Sequence, residues 1–121
     1  MQNLKNFTLR IKQYAIWIAD LNPRFGTEAG KTRPVAIIQT NLLNKFHPSV
    51  IVCPITTNVK PVVEILSVHL KKGSVKLKDD CGIMIDQIRA IDNKRLLKKA
   101  GELTEDPIEL VRANLSIIFD I

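Results

Sequence analysis

A chain of 121 residues that is 45% hydrophobic and 25% charged has the size and balance of one globular domain, which excludes a disordered, fibrous or multidomain chain. Its net charge of +6 and pI near 9.6 favour a polyanionic partner, nucleic acid or an acidic protein segment, without choosing between them. The apolar stretch near the N-terminus, Tyr14 to Ala19, is too short to span a bilayer and is broken by Asp20 before any cleavage site, so no membrane association and a cytoplasmic location are expected.

Residues Met1 to Lys12 are polar and basic, but Phe7, Leu9 and Ile11 alternate, which fits a frayed arm or an added edge strand. The run AIWIADL, Ala15 to Leu21, is rich in strand formers and ends at the turn signal Asn22-Pro23, so it predicts the first core strand. The following NPRFGTEAGKTR, Asn22 to Arg33, combines glycines, a proline and several charges, and suits a long exposed loop. Pro34 opens a second strand, Val35 to Gln39. Val50 to Ile55 predicts a third, with Pro54 demoting its end to an edge or bulge, and Thr56 and Thr57 begin the next turn.

Val62 to Leu70 alternates in part and precedes a basic, hairpin-like tract, Lys71 to Asp80, whose lysines suit a solvated face. Gly82 to Ile88 predicts another buried strand, and Leu97 to Leu103 a last short one after a turn beyond Asp92. The terminal helix is the best-defined element: Thr104 or Asp106 caps it, Pro107 fits its first turn, and Ile108, Val111, Leu115 and Ile118 share one face. Several short strands and one helix, without strand and helix alternating, predict a mainly β domain of the α+β class. The expected architecture is a small half-open barrel over residues 1–121, with the helix packed on the sheet and 1–12 as an arm.

Cys53 and Cys81 sit inside apolar runs and read as buried thiols in place of a disulfide. Gly26-Thr-Glu-Ala-Gly30-Lys31-Thr32 looks like a phosphate-binding loop, but it is one residue short between its glycines and leads through Arg33-Pro34 into the β-branched run VAII, not into a helix. His47 and His69 are isolated from any metal-ligand pattern, so neither a metal nor a cofactor is expected. No nucleophile motif surrounds Ser49, Cys53 or Cys81. What remains is a loop carrying Arg24, Glu28, Lys31 and Arg33, followed one strand later by Thr56 and Thr57. If the two strands pair, a carboxylate, a guanidinium and a hydroxyl converge. That set suffices for RNA cleavage, because the nucleophile is the substrate's own 2′-hydroxyl.

Taken together, IWIADLNP (Ile16 to Pro23), GTEAGKTRPV (Gly26 to Val35), VIVCPIT (Val50 to Thr56), MIDQIRAID (Met84 to Asp92) and the ending KRLLKKAGELTEDPIELVRANL resemble the MazF/PemK toxins, in the family's order from Ala15 to the C-terminus. The resemblance implies a CcdB-like fold, a twisted SH3-like barrel with a C-terminal helix. It also implies a homodimer with single-stranded RNA along its groove, and an antitoxin whose disordered acidic tail occupies the same groove. By position, Arg33 and Thr56 match the family's catalytic arginine and threonine, and Glu28 a third, less uniform catalytic position. Asp86, Gln87 and Arg89 match a segment near the RNA site; with Arg24, Lys31 and Thr57 they make up the expected RNA-binding set.

Tyr14-Ala15 departs from the family's usual Gly-Asp, Thr27 stands where some PemK-type members carry a histidine, and Met84 where some carry an arginine. Side chains absent here supply no chemistry, which favours a mechanism built on Arg33 and Thr56. The expected activity is metal-independent endoribonuclease cleavage of mRNA, leaving a 2′,3′-cyclic phosphate and a 5′-hydroxyl, as the toxin of a type II toxin-antitoxin system. The rivals are a non-enzymatic toxin of the same fold that grips a protein target such as gyrase, and an inactive homologue that binds RNA or antitoxin.

Overall fold

A computed structural model of the chain describes residues 10–58, 64–73 and 77–121. Most of the expected N-terminal arm, Val62 and Val63, and the tip of the basic hairpin-like tract lie outside the described residues. Of the arm's apolar positions, Ile11 is buried with Trp17 and Leu21.

The strands named β1 (Ala15–Asp20), β2 (Thr32–Ile37) and β3 (Ser49–Thr56) pair antiparallel in sequence order. Their apolar residues occupy both parities of the pleat, which is the pattern of strands covered on both faces. Ile16, Ala36, Cys53 and Ile55 face one core, while Ala15, Trp17, Ala19, Val35, Ile37, Val50 and Val52 face a second. Between β2 and β3 the chain makes a short helix, α1 (Asn41–Asn44), that lay unpredicted in the sequence; Thr40 caps it through a bond from the Leu42 amide.

Beyond β3 come β4 (Ser67–Leu70), β5 (Cys81–Met84), β6 (Arg89–Asp92) and β7 (Leu96–Glu102). Hydrogen bonding runs β4-β5-β3-β2-β1-β7, with β6 also on β3, and the ends of this path, β4 and β7, do not pair. A curled sheet left open along one seam is the half-open barrel the sequence predicts. Helix α2 (Glu105–Phe119) covers the first core, with Val111 fully buried and Ile108, Leu115 and Ile118 packed beside it. Thr104 occupies the N-cap without a side-chain hydrogen bond, and Glu105 and Asp106 complement the helix dipole from the first turn.

Several boundaries differ from the sequence reading. β2 begins at Thr32, so Arg33 and Pro34 are strand residues. Gln39, expected in β2, lies beyond it, with its amide donating to the Ile51 carbonyl. The stretch Gly82 to Ile88 is two elements: β5 stops at Met84, a 3₁₀ turn covers Ile85–Gln87, and β6 follows. The reason is the partner strand. β5 bonds β3 at Ile55 and Thr56, β6 bonds it from Ser49 to Val52, and the 3₁₀ turn carries the chain past Cys53 and Pro54. Pro54 is therefore on the central strand and not at an edge. It sits where β3 has changed neighbours on that flank, a place that tolerates a residue without an N–H.

Tyr14 holds φ at +67°. That left-handed backbone is free for glycine and strained for tyrosine. It is held by bonds from the Tyr14 amide to the Ile37 carbonyl and from the Leu103 amide to the Tyr14 carbonyl.

Both cysteines are free and buried. Burial first, and the charge of Asp86 second, push the Cys53 thiol up to about 12; burial, then Asp79 and Asp80, also raise Cys81. At pH 8 only about one part in ten thousand of Cys53 is thiolate, so a disulfide-exchange reagent should leave it untouched in the native protein and label it in denaturant. The same shift makes stability complete below the ordinary thiol value of 9.0 and progressively lost as pH rises toward about 12, because the unfolded chain releases the proton first. Denaturant midpoints falling between pH 8 and pH 10.5 check the sign.

Candidate active site

The loop between β1 and β2 is shaped by its own polar groups. The Leu21 amide donates to the Lys31 carbonyl and the Lys31 amide to Asn22 Oδ1, at 2.9 Å each, closing a neck at the loop's base. Lys31 holds φ at +67°, and the Asn22-Pro23 peptide is cis. Further out, Arg24 Nε donates to the Gly26 carbonyl at 3.1 Å and the Glu28 amide to the Phe25 carbonyl at 3.0 Å. Gly30 is buried beneath Arg24: a β-carbon there would stand 2.6 Å from Arg24 Cβ.

A side chain from a distant element holds the head of this loop. Gln87, in the 3₁₀ turn after β5, accepts from the Ala29 amide at 3.2 Å and donates to the Thr27 carbonyl at 3.3 Å. The two bonds flank Glu28, so the backbone that carries this carboxylate is gripped on both sides.

The loop, the start of β2 and the end of β3 enclose an open cavity of about 570 Å³. Arg24, Glu28, Lys31, Arg33, Thr56, Thr57 and Gln87, seven of the residues singled out in the sequence, line it. Asp86 and Arg89 do not. Asp86 is exposed, close enough to Cys53 to act on its thiol, and Arg89 is half-buried on β6 opposite Val52 with Nη1 lacking a hydrogen-bond partner among the described residues.

Arg33 and Thr56 line the cavity from two paired strands. The last bonded pair of β2 and β3 is Val35 with Pro54; continued two residues, the same register sets Arg33 opposite Thr56 on the same face of the pleat. The other flank of Arg33 is Ala19 of β1. Arg33 Nε donates to the Gly30 carbonyl at 2.8 Å, which fixes the plane of the guanidinium and leaves its Nη donors for a ligand. Thr56 Oγ1 accepts from the Asn58 amide at 3.1 Å, and its own proton stays available to donate.

Three cations and one carboxylate line the cavity, a balance that attracts a phosphate-bearing chain. Among the described residues, no cluster of three His, Cys, Asp or Glu suits a metal ion, and no helix is long and apolar enough to cross a membrane. Sequence reasoning missed the structural roles of Asn22 and Gly30 and the cavity residue Asn58. The Asn-Pro turn signal marked Asn22, but its bond to Lys31 spans the whole loop and has no local signature.

Comparison with known proteins places the chain. Residues 12–119 match the family described as PemK-like, MazF-like toxin of type II toxin-antitoxin system. An Endoribonuclease MazF of Staphylococcus epidermidis is 40% identical over 95 residues, covering 78% of this chain and 79% of that protein. The chain belongs to the PemK-like, MazF-like toxin family of type II toxin-antitoxin systems. Solved structures agree on the fold, the barrel with a C-terminal helix of the CcdB/MazF type. MazF from Deinococcus radiodurans superimposes with a TM-score of 0.80 at 20% identity, covering 92% of this chain and 97% of that one. A MazE-MazF structure from the same organism gives 0.74 at 20% identity, covering 92% and 96%.

Gly30→Ala should force Arg24 aside and displace the Gly30 carbonyl that holds Arg33, destabilising the protein by about 1–3 kcal/mol, the usual range for overpacking. Thermal denaturation checks the expectation, and an unchanged midpoint would show that the loop accommodates the methyl group.

Proposed function

We propose that this toxin is a metal-independent endoribonuclease that cuts single-stranded RNA in the cavity between the β1–β2 loop and the end of β3, with Arg33, Thr56 and Glu28 as its catalytic residues. One observation carries the reading: Arg33, at the start of β2, and Thr56, at the end of its partner strand β3, line one basic cavity, in a chain whose 40%-identical relative is an endoribonuclease. A purely protein-gripping toxin has no need of that pairing.

In the proposed reaction the 2′-oxygen attacks the adjacent phosphorus in line and its proton passes to Glu28. The bond from phosphorus to the 5′-oxygen of the next nucleotide breaks, and that oxygen takes up a proton from solvent water, leaving a 2′,3′-cyclic phosphate and a 5′-hydroxyl. Negative charge grows on the non-bridging oxygens, where the Nη groups of Arg33 form paired hydrogen bonds and Thr56 donates a third. The arginine acts here by electrostatics, as a permanently charged planar fork, and not as a proton donor. Glu28 is assigned the base because the Gly30 carbonyl already orients Arg33.

Arg24, Lys31, Thr57 and Gln87 are proposed to hold the RNA in the cavity, with Asp86 and Arg89, outside its lining, as further RNA contacts. Base edges are readable only in unpaired RNA, which makes single strands the substrate. The partners proposed are a second copy of the chain and an antitoxin with an acidic disordered tail, suited to the net charge of +6; the MazE-MazF neighbour supports the antitoxin. The proposed compartment is the cytoplasm, where mRNA is found.

Purified protein incubated with a single-stranded RNA in EDTA tests this directly. Cleavage should persist in the chelator, and Arg33→Ala should lower the rate by about 100-fold or more with little change in melting temperature. Thr56→Val, which keeps shape and loses the hydroxyl, should slow the reaction by a smaller factor. Wild-type rates in a folded Arg33→Ala protein would remove Arg33 from the chemistry, and absence of cleavage with growth arrest intact would favour a protein-gripping toxin.

A further inference from the structure

We infer that Arg95 is a positioning residue for the cleavage site, holding the neck of the β1–β2 loop so that Arg33 enters its strand in one fixed place; the inference rests on the proposed cleavage reaction.

Arg95 ends the 3₁₀ turn Asn93–Arg95 between β6 and β7, far in sequence from the loop it touches. Its Nη1 donates to the Asp20 carbonyl at 3.0 Å and also to the Asn22 carbonyl. Those two carbonyls bracket Leu21, whose amide closes the neck against Lys31. The chain leaves β1 at Asp20 and returns at Thr32, its register partner, one residue before Arg33. A single guanidinium thus binds the outgoing side of the neck, and the neck sets the point at which the returning strand begins. Carbonyls at a loop entrance need a donor, and a charged one makes roughly twice the bond a neutral group makes.

Arg95 does not line the cavity, so its effect reaches the phosphate through Arg33 and not by contact. It also complements Gln87. Arg95 fixes the loop's base and Gln87 its head, both from the stretch that follows β5. Arg95 at the base thus sets Arg33, and Gln87 at the head sets Glu28. Misplacement of a reacting group by about 1 Å commonly costs on the order of 100-fold in rate, so a remote grip of this kind is kinetically visible.

The test is Arg95→Met, which keeps the aliphatic stem and loses the donors, beside Arg95→Lys, which restores one donor group. In full-length protein with a single-stranded RNA, Arg95→Met should lower kcat by about 10–100-fold with KM little changed, and Arg95→Lys should recover part of the loss. Hydrogen exchange at the Leu21 and Lys31 amides should quicken in Arg95→Met while amides of β3 keep their protection. In an Arg33→Ala background the Arg95 substitution should have almost no further effect on rate, because its contribution passes through Arg33.

An unchanged kcat with faster neck exchange, or unchanged exchange, would overturn the inference. So would a rise in KM alone with a shallower salt dependence, which would make Arg95 a phosphate contact. If Arg95→Met fails to fold, Arg95→Lys carries the same comparison. If the wild-type protein cuts no RNA, the cleavage reading fails on its own, while an unquickened exchange rate would still refute the grip separately.

Discussion

The pairing register of β2 and β3 is the constraint on which the site depends. Because side chains alternate along a strand, a slip of one residue would send Arg33 and Thr56 to opposite faces of the sheet. Val35 against Pro54, Ala36 against Cys53 and Ile37 against Val52 prevent that slip, since Ala36 and Cys53 belong to one packed core and Val35, Ile37 and Val52 to the other. The pairing that buries these apolar residues therefore also carries Arg33 and Thr56 to the same cavity. Stability and the proposed chemistry share one set of contacts, and the proposed catalytic pair sits just past the last bonded pair of the two strands.

The loop adds what strand pairing lacks. Arg24, Glu28 and Lys31 are exposed, and long exposed side chains are poorly ordered unless the backbone beneath them is fixed. Here the backbone is fixed by the neck at Asn22 and Lys31, by Gly30 packed under Arg24, and by the two bonds from Gln87. Among the described residues the cavity lining contains no serine, cysteine or histidine, and Cys53 is a buried thiol raised to about 12. A substrate that brings its own hydroxyl is the one proposed for this cavity.

Much of this was legible in the sequence where a local pattern carries the information. β1, the last strand and the helix were readable from strand formers and from the spacing of Ile108, Val111, Leu115 and Ile118, and the long loop from its glycines and proline. Less was legible where a partner decides. Gly82 to Ile88 is apolar enough for one strand, yet β5 and β6 divide it because each needs a different part of β3. Pro54 read as marking an edge or bulge because a sequence does not show that one flank of a central strand changes neighbours. Arg33, Thr56 and Glu28 were singled out together, whereas the roles of Gln87 and Arg95 depend on bonds across 58 to 75 residues of chain. Gln87 was expected to face RNA; the structure adds that its amide holds the loop.

The central claim is that the attacking oxygen belongs to the RNA. A strand with a single 2′-deoxynucleotide immediately 5′ of the scissile phosphate, compared with the all-ribose strand under identical conditions, tests it most directly. The account predicts that the substituted strand is bound, competes with the cleavable one, and is not cut at that position. Cleavage there at the normal rate would contradict the account and assign the nucleophile to water or to the protein.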